Sequence, residues 1–170
     1  NRIQQTENLR FADVIRLAQM AVPEIWHNRE YLYFKDEVAA VNEEAEGGRG
    51  TKPISQEEGI VCYLAAYAKW HKDKLHLAFD SIQIKDLCQG DVNIVDWGCG
   101  QGLATLVLLD YLDDNGVSYN VKSITLIEPS PLAIGFAQLY LSQRLRGKNV
   151  AINAVNKLFS ALDESDFSSI

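Results

Sequence analysis

Apolar residues recur at helical spacing through the first half of the chain and gather into short consecutive runs in the second, which divides it near residue 90. From Thr6 to Met20, Leu9, Val14, Ile15, Leu17 and Ala18 follow a period close to 3.6, which predicts an amphipathic helix ended by Pro23. Residues 29–46 carry a weaker helical pattern, and Gly47-Gly48-Arg49-Gly50-Thr51-Lys52-Pro53 reads as a basic linker or mobile loop. Ser55-Gln56-Glu57-Glu58 has the form of a capping box, with the Ser55 hydroxyl accepting from the Glu58 amide. Ile60, Val61, Leu64, Ala65 and Ala68 continue as an apolar face, and Leu75, Ala78, Phe79 and Ile82 resume it after an irregularity.

Beyond residue 90 the punctuation changes. Val92 opens a short apolar strand that runs into Asp96-Trp97-Gly98-Cys99-Gly100-Gln101-Gly102-Leu103-Ala104, a glycine turn opening an amphipathic helix. Asp113-Asp114-Asn115-Gly116 ends that helix, Val117 to Lys122 forms an extended connection, and Ser123 to Ile127 is a second strand. Pro129-Ser130-Pro131 then stops and restarts the chain, with Ser130 as N-cap and Pro131 at the first helical position. Leu132 to Leu145 is the next helix and Val150 to Val155 the third strand. Strands alternating with helices predict an α/β fold with a doubly wound, mainly parallel Rossmann-like sheet over residues 91–170, preceded by a helical cap region over residues 1–90.

The glycine turn carries the candidate chemistry. A dinucleotide fingerprint needs glycine at position 103 or 105, and leucine and threonine stand there, so the frame that packs on a pyrophosphate is incomplete. Asp96, Gly98, Gly100 and Gly102 instead match an acid followed by Gly-x-Gly-x-Gly. This resembles motif I of the class I S-adenosylmethionine-dependent methyltransferases. Glu128 stands where that family's second strand ends in an acid, a group suited to accept both ribose hydroxyls. It lies 26 residues after Gly102, against roughly 20 in the dinucleotide spacing, and the 113–122 connection absorbs the excess.

The resemblance covers roughly residues 91–160 and implies S-adenosylmethionine as cofactor. The site it implies comprises Asp96, Gly98, Cys99, Gly100, Gly102, Glu128, Pro129 and Asn156. In that reading the turn holds the methionine part, Asp96 faces its ammonium, Glu128 holds the ribose and Asn156 lies near the adenine, where the family more often has aspartate. The implied reaction is in-line displacement at a sulfonium methyl by a substrate nucleophile, which depends mainly on positioning. The fourth strand and its loop usually carry the catalytic motif, so this chain is expected to be the cofactor-binding piece of a longer protein, and no catalytic residue is assigned. Two other readings stay open: a methyltransferase-like binding or assembly module without turnover, and a nicotinamide-dependent oxidoreductase.

Composition narrows the partners. The chain has 170 residues, 47% hydrophobic and 23% charged, enough for a real core in a soluble globular protein. Its net charge of −7 gives no global attraction for a phosphate backbone, and the acceptor class stays open between small molecule, protein and RNA. No apolar run reaches the ~18 residues of a membrane span, and no leader pattern opens the chain, so a cytoplasmic protein without a membrane partner is expected. Cys62, Cys88 and Cys99 lack Cys-x-x-Cys spacing; the first two read as small buried hydrophobes, and Cys99 as the small side chain its turn needs. His71 and His76 are five apart and miss the i, i+4 spacing of paired ligands, so neither these nor His27 is assigned to a metal. Phe11, Trp26, Tyr31, Tyr33, Phe34, Tyr63, Tyr67, Trp70 and Phe79 read first as core and second as the wall of a substrate pocket. The acids Asp36, Glu37, Glu43, Glu44 and Glu46 read as a solvated face.

Overall fold

The computed structural model describes residues 3–28 and 57–167. The readings for residues 29–56, and for the side chains of Trp26, His27, Glu58 and Cys62, lie outside that description. A short 3-10 turn, Ile3–Gln5, leads to α1, Phe11–Asn28. Asn8 has φ +51° and the chain turns there, which delays the helix from the expected Thr6. The Arg10 amide donates to Asp13 Oδ2 at 3.0 Å, so the acid of the first turn satisfies the entering backbone. Pro23 does not end α1, contrary to the sequence expectation. An interior proline removes one helix hydrogen bond and crowds the preceding turn, yet the helix runs on from Phe11 to Asn28.

Helix α2, Glu57–Ser81, is continuous, so the expected irregularity before Leu75 is absent. It packs along α1, with Phe11, Val14 and Ala18 of one and Ile60, Leu64 and Ala68 of the other all buried in one cluster. A single turn, α3 (Ile84–Leu87), leads into β1, Gly90–Trp97. Then follow α4 (Leu103–Asp114), β2 (Tyr119–Ile127), α5 (Pro131–Arg144) and β3 (Ala151–Val155). Strand β2 therefore starts at Tyr119, inside the stretch expected to be a connection. Its first residues pair with β1 in register until a bulge, where Val92 faces Val121 and Asn93 faces Ser123. Lys122 is the extra residue, and the bulge lets a polar opening turn extend the ladder without reversing the faces beyond it.

The described sheet has the order β1-β2-β3 and is parallel throughout. Ile94, Val121, Ile124, Leu126 and Ile152 join the main core with Leu106 of α4 and Ile134, Ala137 and Leu141 of α5. Helix α4 was expected to be amphipathic, yet eight of its twelve residues are buried. It is enclosed because α2 and α1 pack against it as well as the sheet, making it a central layer. Cys88 and Cys99 are buried and free, as small apolar side chains.

Aromatic residues of the N-terminal helices divide. Phe11 is fully enclosed, whereas Trp70 is 71% exposed and so corrects the expectation that it belongs to the core. Tyr63 Oη lies 2.8 Å from His71 Nε2, and burial lowers the His71 pKa, with nearby Lys74 adding to the shift. No helix among the described residues is long and apolar enough to cross a membrane.

Charge also fastens the amino-terminal segment to the α/β layer. Arg144, whose side chain is 3% exposed, sets its guanidinium 3.1 Å from Asp110 Oδ1 and also contacts Asp113. Arg10 Nε approaches the same Asp110 oxygen at 3.2 Å, and the Phe11 amide donates to Asp110 Oδ2 at 2.9 Å. Burial raises the Asp110 pKa, and the amide and the two guanidiniums oppose that shift.

Candidate functional site

Strand β1 ends at Trp97 and the chain reverses through Gly98, Gly100 and Gly102, with φ of +63°, +52° and +70°. The reversal is closed by two backbone bonds: Cys99 N donates to Ile127 O at 3.0 Å and Gly102 N to Cys99 O at 2.7 Å. Gly102 is also a contact point. A Cβ there would lie 3.0 Å from Ala137 Cβ and 3.3 Å from Ala137 Cα, so glycine lets α4 start close against α5. At Gly98 and Gly100 a Cβ would meet nothing within 4 Å, which leaves space outside the turn.

Gly102 is the N-cap of α4 and offers no side chain, and the Asp96 carboxylate of β1 takes the Thr105 amide of the first turn instead. The helix starts at the carboxyl end of a parallel sheet, where open α/β sheets bind ligands. Two carboxylates flank this place. Glu128, just past β2, accepts from Gly100 N at 3.1 Å through Oε2 and from Ser130 N at 2.8 Å through Oε1. Each oxygen spends one lone pair on the protein and keeps another. Asp96 Oδ2 accepts from Thr105 Oγ1 at 2.7 Å, across to the first turn of α4. Burial raises the Asp96 pKa, and the Thr105 hydrogen bonds offset part of that rise.

The remaining expected residues fall into the same neighbourhood. Glu128 N donates to Val155 O at 3.2 Å, and Asn156 Nδ2 returns a bond to Glu128 O at 2.8 Å. Asn156 thereby ties the ends of β2 and β3 together, a structural bond in addition to any ligand contact. Pro129 lies between Glu128 and the N-cap Ser130, whose Oγ accepts from Ala133 N at 3.1 Å as expected. Cys99 is buried beneath the turn, and burial together with Asp96 and Glu128 pushes its thiol pKa up to about 12. A thiol so held is a packing group and a poor nucleophile.

Sequence reasoning passed over Thr105, Gln101 and Trp97. A hydroxyl in the first turn of the helix after an acidic strand end was the available signal for Thr105. Trp97, 52% exposed, packs its ring on Phe159 at 5.6 Å and Phe167 at 5.4 Å, beside the turn. A cavity of about 430 Å³ lies by Tyr119, Lys122, Lys148 and Val150, at the opposite end of β2 from Glu128. No group of His, Cys, Asp and Glu among the described residues could hold a metal ion.

One prediction isolates the buried acid. The folded-state pKa of Asp96 lies above its unfolded value, so its contribution to stability is full at acidic pH and is lost as pH rises through the folded pKa. Asp96→Asn keeps an oxygen for Thr105 and cannot ionise. The variant is expected to melt above the wild-type protein at pH 7, with the gap closing as pH falls toward 4. A gap independent of pH in thermal melts would sink this reading.

No protein-family model matches this chain, and no curated protein matches it.

Proposed function

We propose that this domain binds S-adenosylmethionine and forms the cofactor-binding part of a methyltransferase, acting on a nucleophile whose class is left open. The observation that carries the proposal is Glu128, whose carboxylate stands against the glycine turn with lone pairs to spare at 3.1 Å from the Gly100 amide. A ribose diol donates two hydrogen bonds, and a carboxylate accepts both in one plane. The chemistry of the donor set also fits. Two carboxylates, Asp96 and Glu128, beside the start of a helix whose N-cap is a glycine suit a ligand bearing both a cationic ammonium and a ribose diol. A pyrophosphate would meet the same two acids as repulsion, which disfavours a dinucleotide.

The cofactor supplies an activated methyl group on a sulfonium. The protein's part is positioning. Glu128 orients the ribose while its bonds to Gly100 and Ser130 keep the turn and the α5 entry in register. Asp96, held by Thr105, offers a fixed negative charge to the ammonium. No side chain is assigned as the base.

Calorimetric titration of S-adenosylhomocysteine into the wild-type chain and Glu128→Ala, with NADH as control, tests the proposal. Losing a two-point contact to a charged acceptor should weaken binding by about tenfold to a hundredfold. Wild-type binding with no NADH response is expected. Heat from NADH alone, or equal affinity in both proteins, would overturn it.

A further inference from the structure

Trp97 closes β1 directly before Gly98 with half of its surface open, and Phe159 beyond β3 is 78% exposed, their ring centroids 5.6 Å apart. Phe167 meets the same indole at 5.4 Å. Strand β3 lies on the far side of β2 from β1, so the chain after Val155 returns across the carboxyl end of the sheet, the end that carries Glu128, to bring both phenyl rings to Trp97. Large rings left open together beside a site mark a surface that binds a partner. Charge narrows what that partner is. The returning stretch, residues 157–167, holds Asp163, Glu164 and Asp166 against one cation, Lys157. Lys157 Nζ is spent on Asp166 at 2.7 Å and on Asp163 at 3.3 Å, so the stretch keeps a net negative charge and no free cation. An anion is repelled there and a cation is drawn in.

We propose that the exposed face of Trp97, with Phe159, holds the methyl acceptor, and that this acceptor is a small flat nitrogen cation of the amidine or guanidine type. The inference rests on the cofactor reading above. A flat, weakly hydrated cation stacks on an indole face and is attracted by the ring quadrupole, whereas a compact ammonium holds its water more tightly. A group so placed stands beside the glycine turn and uses neither Asp96 nor Glu128, which stay with the cofactor. In the transfer the acceptor nitrogen forms its bond to the methyl carbon as the carbon–sulfur bond breaks. The electron pair of that broken bond stays on sulfur as a thioether, and the nitrogen releases one proton to water. Trp97 and Phe159 then select the acceptor by its charge and flatness.

The test uses benzamidine as a flat cation and benzamide as its neutral isostere, each titrated into isotope-labelled protein with and without S-adenosylhomocysteine. Binding is followed by NMR at the Trp97 indole resonance, which is identified by its absence from Trp97→Phe. Benzamidine should shift that resonance saturably with S-adenosylhomocysteine bound, and benzamide should bind about threefold or more weakly. Phe159→Leu, at a position open to solvent, should weaken benzamidine about twofold to fivefold and leave the affinity for S-adenosylhomocysteine unchanged. No shift, an equal response to the two probes, or full benzamidine affinity in Phe159→Leu overturns the inference and leaves the cofactor reading intact. Displacement of benzamidine by S-adenosylhomocysteine also overturns it, since the rings then belong to the cofactor. If the wild-type protein does not bind S-adenosylhomocysteine, the cofactor reading fails and the acceptor assignment with it.

Discussion

Replacing Arg144 by leucine is expected to destabilise the fold by about 3–5 kcal/mol, because it strands a charge that the interior has already desolvated. Arg144 is almost fully enclosed and faces both Asp110 and Asp113. Its loss leaves Asp110 with the Phe11 amide and with Arg10, which is 40% exposed and shared with Asp114. Burial already raises the Asp110 pKa, and removing a guanidinium raises it further. A carboxylate with a raised folded-state pKa contributes stability that is present at acidic pH and lost as pH rises through that pKa. The deficit of Arg144→Leu should therefore be largest at neutral pH and shrink toward pH 5 in urea melts. Asp110→Asn keeps an acceptor for Phe11 and carries no charge, so combining it with Arg144→Leu should cost less than the two single effects added. Additive effects, or a deficit that grows on acidification, would refute this account.

Gly102→Val should cost about 2–5 kcal/mol, combining a left-handed backbone with overpacking. At φ +70° a β-branched residue is strongly disfavoured, and its Cβ would sit 3.0 Å from Ala137 Cβ, with the α5 backbone at 3.3 Å behind it. The helix cannot give way cheaply, because Ala137 lies in the core that α4 and α5 share with β2. Gly98→Val is the internal control. It meets the same backbone penalty at φ +63° but no neighbour within 4 Å, so its cost should stay near 1–2 kcal/mol. Equal losses in the two variants, measured by thermal or chemical unfolding, would mean that packing against α5 contributes nothing.

Much of the candidate site was legible because its signals are local. Glycines before a helix, an acid at the end of each of two strands, and Ser130-Pro131 at a helix start are short-range requirements of backbone conformation and capping. The parallel α/β order followed from strands alternating with helices, and the structure has β1-β2-β3 in that arrangement. Boundaries were less legible. Tyr119 to Lys122 looked like a connection because its polar positions break the alternation, yet a bulge and pairing to β1 make it strand. Pro23 looked like a stop, and α1 continues through it.

The sequence by itself determined the class of fold, the place of the turn and which acids stand at its rim, since these depend on residues a few positions apart. Tertiary structure alone decided what those residues touch. It brings Glu128 onto the Gly100 amide, Thr105 onto Asp96, Ala137 against Gly102, and Arg144 onto Asp110 and Asp113. It also buries Gln101 Oε1 without a donor. Each contact joins elements whose relative placement is set by packing a shared core, and no local pattern encodes the distance between two side chains brought together that way.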